Sequence, residues 1–157
     1  MNKDLPKSAK VVVIGGGVAG TSCAYHLAKF GWKDVVLLER DQLTSGTTWH
    51  AAGLMGQLGA SYTITKLRKY TLDIYQELEK KTELSIGLRQ NGAITVATTK
   101  ERMQELLRQA TTAQLSDVEV HVLDKKQTKD LYPVVNNDDI IGSVFMPKDG
   151  QADPVGV

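Results

Sequence analysis

Residues 44–53 read TSGTTWHAAG. A loop needs glycine, serine and threonine to turn, but it has no need of an indole beside an imidazole. Neutral imidazole is a nucleophile and proton acceptor near pH 7, so His50 is the residue of this segment best suited to chemistry. Trp49 next to it either walls a flat ligand or fills core. Gly46, Thr47 and Thr48 offer hydroxyls and open backbone N–H groups that suit a phosphate. Ala51, Ala52 and Gly53 keep the backbone slim enough to lie beside a flat ring system, and Leu54 closes the segment.

Upstream stands VVVIGGGVAGTSCAYHLAKFGWKDVVLLER, with Gly15, Gly17 and Gly20 in the order G-x-G-x-x-G. Gly15 permits the tight turn out of a strand, Gly17 leaves room for a pyrophosphate, and Gly20 lets a helix pack close to the sheet. Val18 and Ala19 open that helix, whose first N–H groups and positive dipole end face the phosphates. Glu39 follows Gly20 by 19 residues and can accept hydrogen bonds from ribose hydroxyls, with Arg40 along the adenosine. The pattern predicts dinucleotide binding, and an acid at this position disfavours the 2′-phosphate of NADP. FAD and NAD share the ADP half, so the fingerprint does not separate them. An NAD enzyme would continue through further βα units. The hydroxyl-rich loop after Glu39 suits a cofactor that extends past its pyrophosphate, which points to FAD.

The elements that hold these residues follow from periodicity. Lys10 to Ile14 and Val35 to Leu38 are apolar runs expected as buried strands, joined by a helix from Val18 to Phe30 that Gly31 closes. Residues 40–61 read as loop with a short helix around Trp49 to Met55. Between Thr63 and Thr82, Ile64, Leu67, Tyr70, Ile74, Tyr75 and Leu78 keep helical spacing. Gly87 to Thr98 is expected as one or two strands turned at Asn91-Gly92. Thr98 and Glu101 suggest a capping box for a helix to about Leu115, with Met103, Leu106, Leu107 and Ala110 buried. Val118 to Leu123 and Ile140 to Met146 read as strands, and Lys125 to Leu131 as a helix stopped by Pro133. Asp153-Pro154 resembles a helix start three residues before the last, Val157, so the sequence reads as a piece of something longer. The expected class is α/β: a tail over 1–9, a Rossmann-like βαβ unit for the cofactor over 10–62, and the start of a second, substrate-side β-sheet subdomain over 63–157.

Composition narrows the function from the other side. A net charge of +1 makes no electrostatic case for nucleic acid or an anionic membrane, and no apolar run approaches a membrane span. MNKDLPKSAK lacks the apolar stretch of a secretion signal, and the single Cys23 excludes an internal disulfide, so an intracellular domain is expected. His26, His50, His121 and Cys23 share no ligand spacing, so no metal is expected. Cys23 reads as a packing residue, His26 as a helix-surface one, and His121 as structural.

IGGGVAGTSCAYHLAKFGWKDVVLLER, SGTTWHAAG and the Asp149-Gly150 and Asp153-Pro154 pairs resemble the N-terminal flavin domain of the sarcosine and dimethylglycine dehydrogenases. These belong to the D-amino-acid-oxidase-like superfamily. The resemblance runs from about Val11 to the end, and Thr47-Thr48-Trp49-His50 is far more specific than the glycines. It implies FAD bonded covalently through its 8α-methyl to His50. It also implies demethylation of a secondary or tertiary N-methyl amine by hydride transfer to flavin N5, with electrons leaving to an acceptor protein or oxygen. Tetrahydrofolate would enter only through a domain absent from this chain. The location implied is the mitochondrial matrix for a eukaryotic source and the cytoplasm for a bacterial one. No catalytic residue is assigned. Two further readings stay open: a non-catalytic relative like the regulatory subunits of pyruvate dehydrogenase phosphatase, and an NAD-linked dehydrogenase.

Overall fold

The β-branched run Val11–Ile14 forms β1, and Val35–Leu38 forms β2 beside it in parallel, Val11 opposite Val35 and Ile14 opposite Leu38. Helix α1, Val18–Lys29, makes the crossover that a parallel pair requires. It ends where Gly31 takes a left-handed turn, φ +89, and returns its N–H to the Ala28 carbonyl at 3.0 Å. The structure is a computed structural model describing residues 6–157, so residues 1–5 of the expected tail lie outside the described residues. The strands depart from expectation in their burial. Exposure alternates along β1, leaving Val12 49% and Ile14 85% exposed. Helix α1 packs against both strands, but it shields only the alternate side chains.

The described chain divides into two compact units, one reaching Ala52 and including Val157, the other Gly53–Gly156. The division falls before the 62/63 boundary drawn from the sequence because β3, Leu54–Met55, pairs antiparallel with β7, Gly150–Gln151. The short helix expected around Trp49 to Met55 is a 3-10 turn over Thr48–His50 followed by that strand. No helix among the described residues is long and apolar enough to cross a membrane.

The second unit holds α2 (Tyr62–Thr82), β4 (Ala93–Ala97), α3 (Lys100–Gln114), β5 (His121–Asp124), α4 (Lys125–Leu131) and β6 (Gly142–Met146). The sheet order is β4-β6-β5, antiparallel throughout. Ala97, Leu106, Ala110, Val144 and Met146 form the core where α3 covers the sheet. The Thr99 side chain caps α3, one residue after the expected Thr98, and Asp124 with Gln127 makes a capping box on α4.

Tertiary packing overrides several local readings. In α2, Ile64, Leu67 and Tyr70 of the expected apolar stripe are exposed, while Thr65, Leu72 and Ile74 are buried. Thr65 tolerates burial because its hydroxyl donates to the Ser61 carbonyl and accepts the Gly59 N–H. Leu107, expected in the core, is exposed. Asn91-Gly92 makes no hairpin: Arg89 pairs with Gln151 and β4 with β6. A Cβ on Gly92 would lie 2.4 Å from the Phe145 ring, so this glycine serves close approach as well as its φ of +82. Strand β5 begins only at His121, and Asp153-Pro154 starts a turn, with the Asp153 carboxylate accepting the Val155 N–H. Cys23 is exposed and not a packing residue.

Candidate cofactor site

The site is built where β1 ends. Gly15 has φ +105, a conformation that side chains resist, and its N–H donates to the Leu38 carbonyl at 2.8 Å, extending the strand pair. A Cβ on Gly20 would lie 1.9 Å from the Gly15 carbonyl oxygen, so only glycine lets α1 start this close to the strand. A Cβ on Gly15 would meet nothing within 4 Å, and one on Gly17 would meet only the Thr48 hydroxyl, at 2.9 Å. Gly17 stands at the N-cap of α1 without a side-chain cap. The N–H groups of Gly17, Val18, Ala19 and Gly20 have no partner inside the helix. Val18 gives its own to Thr48 Oγ1 at 3.0 Å.

Glu39, at the end of β2, turns back onto the glycine loop. Its Oε2 accepts the Gly16 N–H at 2.6 Å, and its Oε1 accepts those of Arg40 and Asp41 at 2.7 and 3.2 Å. The Gly16 bond, then that of Asp41, holds the carboxyl below its ordinary value of 4.5, so it is a carboxylate at neutral pH. Gly16 is a site residue that the G-x-G-x-x-G reading passed over. It is buried, and a Cβ there would come 2.6 Å from Leu43 and 3.0 Å from the Glu39 Cβ. The signal available was the third consecutive glycine in IGGG. Arg40 is exposed beside the acid.

The loop returns to the glycines through Thr44, at φ 70, whose N–H donates to the Gly16 carbonyl at 3.0 Å. Gly46 has open space at its Cα, Thr47 opens the 3-10 turn, and Thr48 is 8% exposed. Trp49 is 54% exposed and packs in no core of this chain. Its Nε1 donates to the Ser45 carbonyl at 3.1 Å, and its ring lies on that of His50 with centroids 3.7 Å apart and planes 35° from parallel. His50 is exposed, and Ala51 resumes an extended path. Gly53 and Leu54 belong to the second unit. There Gly53, at φ +70, accepts the Ala152 N–H, and a Cβ would lie 2.2 Å from the Ala152 carbonyl, so its identity is explained by that contact.

The structure thus brings Gly15, Gly17, Val18, Ala19, Gly20, Glu39 and Thr48 together, with Trp49 and His50 on the turn that Thr48 begins. Slim backbone, a helix start with N–H groups and a carboxylate at the second strand's end fit the diphosphate and ribose of a dinucleotide. Among the described residues no group of three or more His, Cys, Asp or Glu could hold a metal ion.

Comparison with known proteins agrees with this geometry. A family profile described as FAD dependent oxidoreductase matches residues 10–157. Mitochondrial sarcosine dehydrogenase of Homo sapiens is 46% identical over 156 residues, covering 99% of this chain and 17% of that protein. Mitochondrial dimethylglycine dehydrogenase of Rattus norvegicus is 40% identical over 146 residues, 93% of this chain and again 17% of that protein. The chain therefore spans about a sixth of the length of these relatives. Among solved structures, L-proline dehydrogenase from P. horikoshii superposes with a TM-score of 0.86 at 24% identity, over 96% of this chain and 39% of that one, which speaks for the fold alone. With its glycine cradle, strand-end acid and a profile match over residues 10–157, the chain belongs to the FAD dependent oxidoreductases.

Proposed function

We propose that this chain is the N-terminal, cofactor-bearing part of an enzyme that oxidises and demethylates a secondary or tertiary N-methyl amine of the sarcosine or dimethylglycine type, with FAD carried covalently on His50. The observation that carries the reading is the Trp49–His50 ring pair, held on a turn whose first residue hydrogen-bonds the start of α1. The similarity to sarcosine and dimethylglycine dehydrogenases supports the choice of substrate class.

Each residue has a part in this reading. Gly15, Gly17 and Gly20 admit the pyrophosphate, and Ala19 and Gly20 offer N–H groups to it. Glu39 accepts the adenosine ribose hydroxyls, with Arg40 alongside. Gly46 and Thr47 flank the second phosphate. Trp49, Ala51 and Ala52 line the path of the ring system. His50, exposed beside Trp49, would carry the flavin by a bond from a ring nitrogen to its 8α-methyl. Bound FAD supplies the two-electron oxidation of the amine, whose iminium product hydrolyses to formaldehyde or passes its methylene to tetrahydrofolate on a domain outside this chain. Electrons leave to an acceptor protein or oxygen. Residues 10–62 serve the cofactor, and 63–157 begin the substrate side. A eukaryotic source implies the mitochondrial matrix, a bacterial one the cytoplasm.

The test is acid precipitation of the full-length protein grown with riboflavin, followed by fluorescence of the denatured band. Wild type should retain its flavin, and His50→Ala should release it. Flavin washing out of the wild-type precipitate would remove the covalent role and leave His50 beside a dissociable cofactor.

A further inference from the structure

We infer that Thr48 is the positioning residue for His50, because it caps α1 from outside the helix and starts the turn that carries the imidazole. The inference rests on the covalent reading of His50. A phosphate-binding helix start contains a conflict. Position 17 is glycine, which leaves space for phosphate, yet a glycine has no side chain with which to cap its own helix. Helix α1 begins with this uncapped Gly17. The capping bond comes from elsewhere: Val18 donates its N–H to Thr48 Oγ1 at 3.0 Å, thirty residues along the chain.

The contact is confined on several sides. Thr48 is 8% exposed, one of the buried polar residues. Its hydroxyl lies where a Cβ on Gly17 would come within 2.9 Å, so the same glycine that suits phosphate makes room for the threonine. Through its carbonyl, Thr48 accepts the Ala51 N–H at 3.1 Å, while His50 donates its own N–H to the Thr47 carbonyl at 3.2 Å. One residue therefore bonds α1 by its hydroxyl and closes the turn around His50 by its backbone. Trp49 limits the imidazole from another side, its ring centroid 3.7 Å from that of His50.

The spacing from the phosphate-binding helix end to the imidazole is thereby set by a hydrogen bond and not by the length of the loop between them. Bond formation is sensitive to such placement, since a shift of about 1 Å can cost roughly a hundredfold in rate. Cofactor binding is less sensitive, because the Gly17, Ala19 and Gly20 N–H groups do not depend on Thr48. Loss of the hydroxyl should therefore slow attachment more than it weakens binding.

The experiment uses the full-length protein produced under riboflavin limitation, then supplied with FAD. Noncovalent affinity is read by flavin fluorescence quenching, and attachment by acid-stable fluorescence over time. At FAD concentrations that saturate each variant, Thr48→Val should attach the flavin roughly 10–100 times more slowly than wild type. Thr48→Ala, which adds no bulk, repeats the test should the valine variant not fold. Thr48→Ser, which keeps the hydroxyl, should restore attachment. Attachment at the wild-type rate in Thr48→Val or Thr48→Ala overturns the inference and leaves His50 its role. Equal loss of affinity and attachment also overturns it, making Thr48 a binding group only. Wild-type protein without acid-stable flavin would instead overturn the His50 reading, and this inference with it.

Discussion

Each of the two units is organised internally by different means. Every buried apolar side chain among the described residues, from Leu72 to Ala152, lies in the second unit. In the first, the buried residues among those described are Gly16 and Thr48, both at the cofactor cradle. The second unit is organised by a hydrophobic core of Ala97, Leu106, Ala110, Val144 and Met146. The first is organised by backbone hydrogen bonds, glycine contacts and the Glu39 and Thr48 side chains. Parallel strands are normally covered on both faces; within this chain Val12 and Ile14 leave one face of the pair exposed. The difference teaches that the cradle's geometry is specified by polar and steric contacts. Binding a ligand then adds stability where core burial is thin.

The contrast makes its largest prediction at Leu106. It is 1% exposed between α3 and the sheet, and Leu106→Ala should cost about 2–5 kcal/mol by urea unfolding of the full-length protein. A cost below about 1 kcal/mol would mean that the second unit does not depend on this core. Next is Gly17→Val, whose Cβ would press on the Thr48 hydroxyl while its branches enter the phosphate's space. FAD affinity should fall about a hundredfold, roughly 2.7 kcal/mol, by fluorescence titration. Unchanged affinity would take the pyrophosphate away from this loop. Glu39→Ala follows, with an expected loss of roughly tenfold, the scale of a charged hydrogen bond.

Acidity separates the units in sign. Glu39 is held below 4.5 by the Gly16 N–H, so its stabilising effect is present above that value and lost as pH falls through its lower folded one. Asp149, 3% exposed, is pushed above its ordinary 3.8 by burial, although the Gln57 N–H it accepts at 2.9 Å opposes the shift. Its contribution is therefore fully present below 3.8 and lost as pH rises through the folded value. Carboxyl-carbon NMR should find Glu39 titrating below 4.5 and Asp149 above 3.8; the reverse order would contradict both assignments. The smallest effect belongs to Ile14→Ala. At 85% exposure it should change stability by no more than about 0.5 kcal/mol. A loss as large as that at Leu106 would show that β1 is covered in the full-length protein.

The βαβ unit was legible because its constraints are local. An apolar run, three spaced glycines and an acid each state a backbone requirement within a few residues, and β1, α1 and β2 fall within one residue of where the sequence predicts them. The second unit was legible in element type but not in facing. Helical spacing in α2 allowed either of two adjacent stripes, and the choice of Thr65 and Leu72 over Leu67 and Tyr70 came from packing. Strand β7 has two residues, too few for any period to register.

At the site, the types and order of the residues were determined by the sequence alone. Gly20 can be only small where a helix start meets a strand, and His50 announces itself beside Trp49 in a loop that needs neither. Their joining was decided by tertiary structure. Nothing in the spacing of Val18 and Thr48 reveals that a helix deprived of its own cap would take one from a residue thirty positions later. Nor does it reveal that Glu39 would reach back to Gly16. Such bonds depend on where two chain segments meet in space, and a linear pattern records only what neighbours along the chain require.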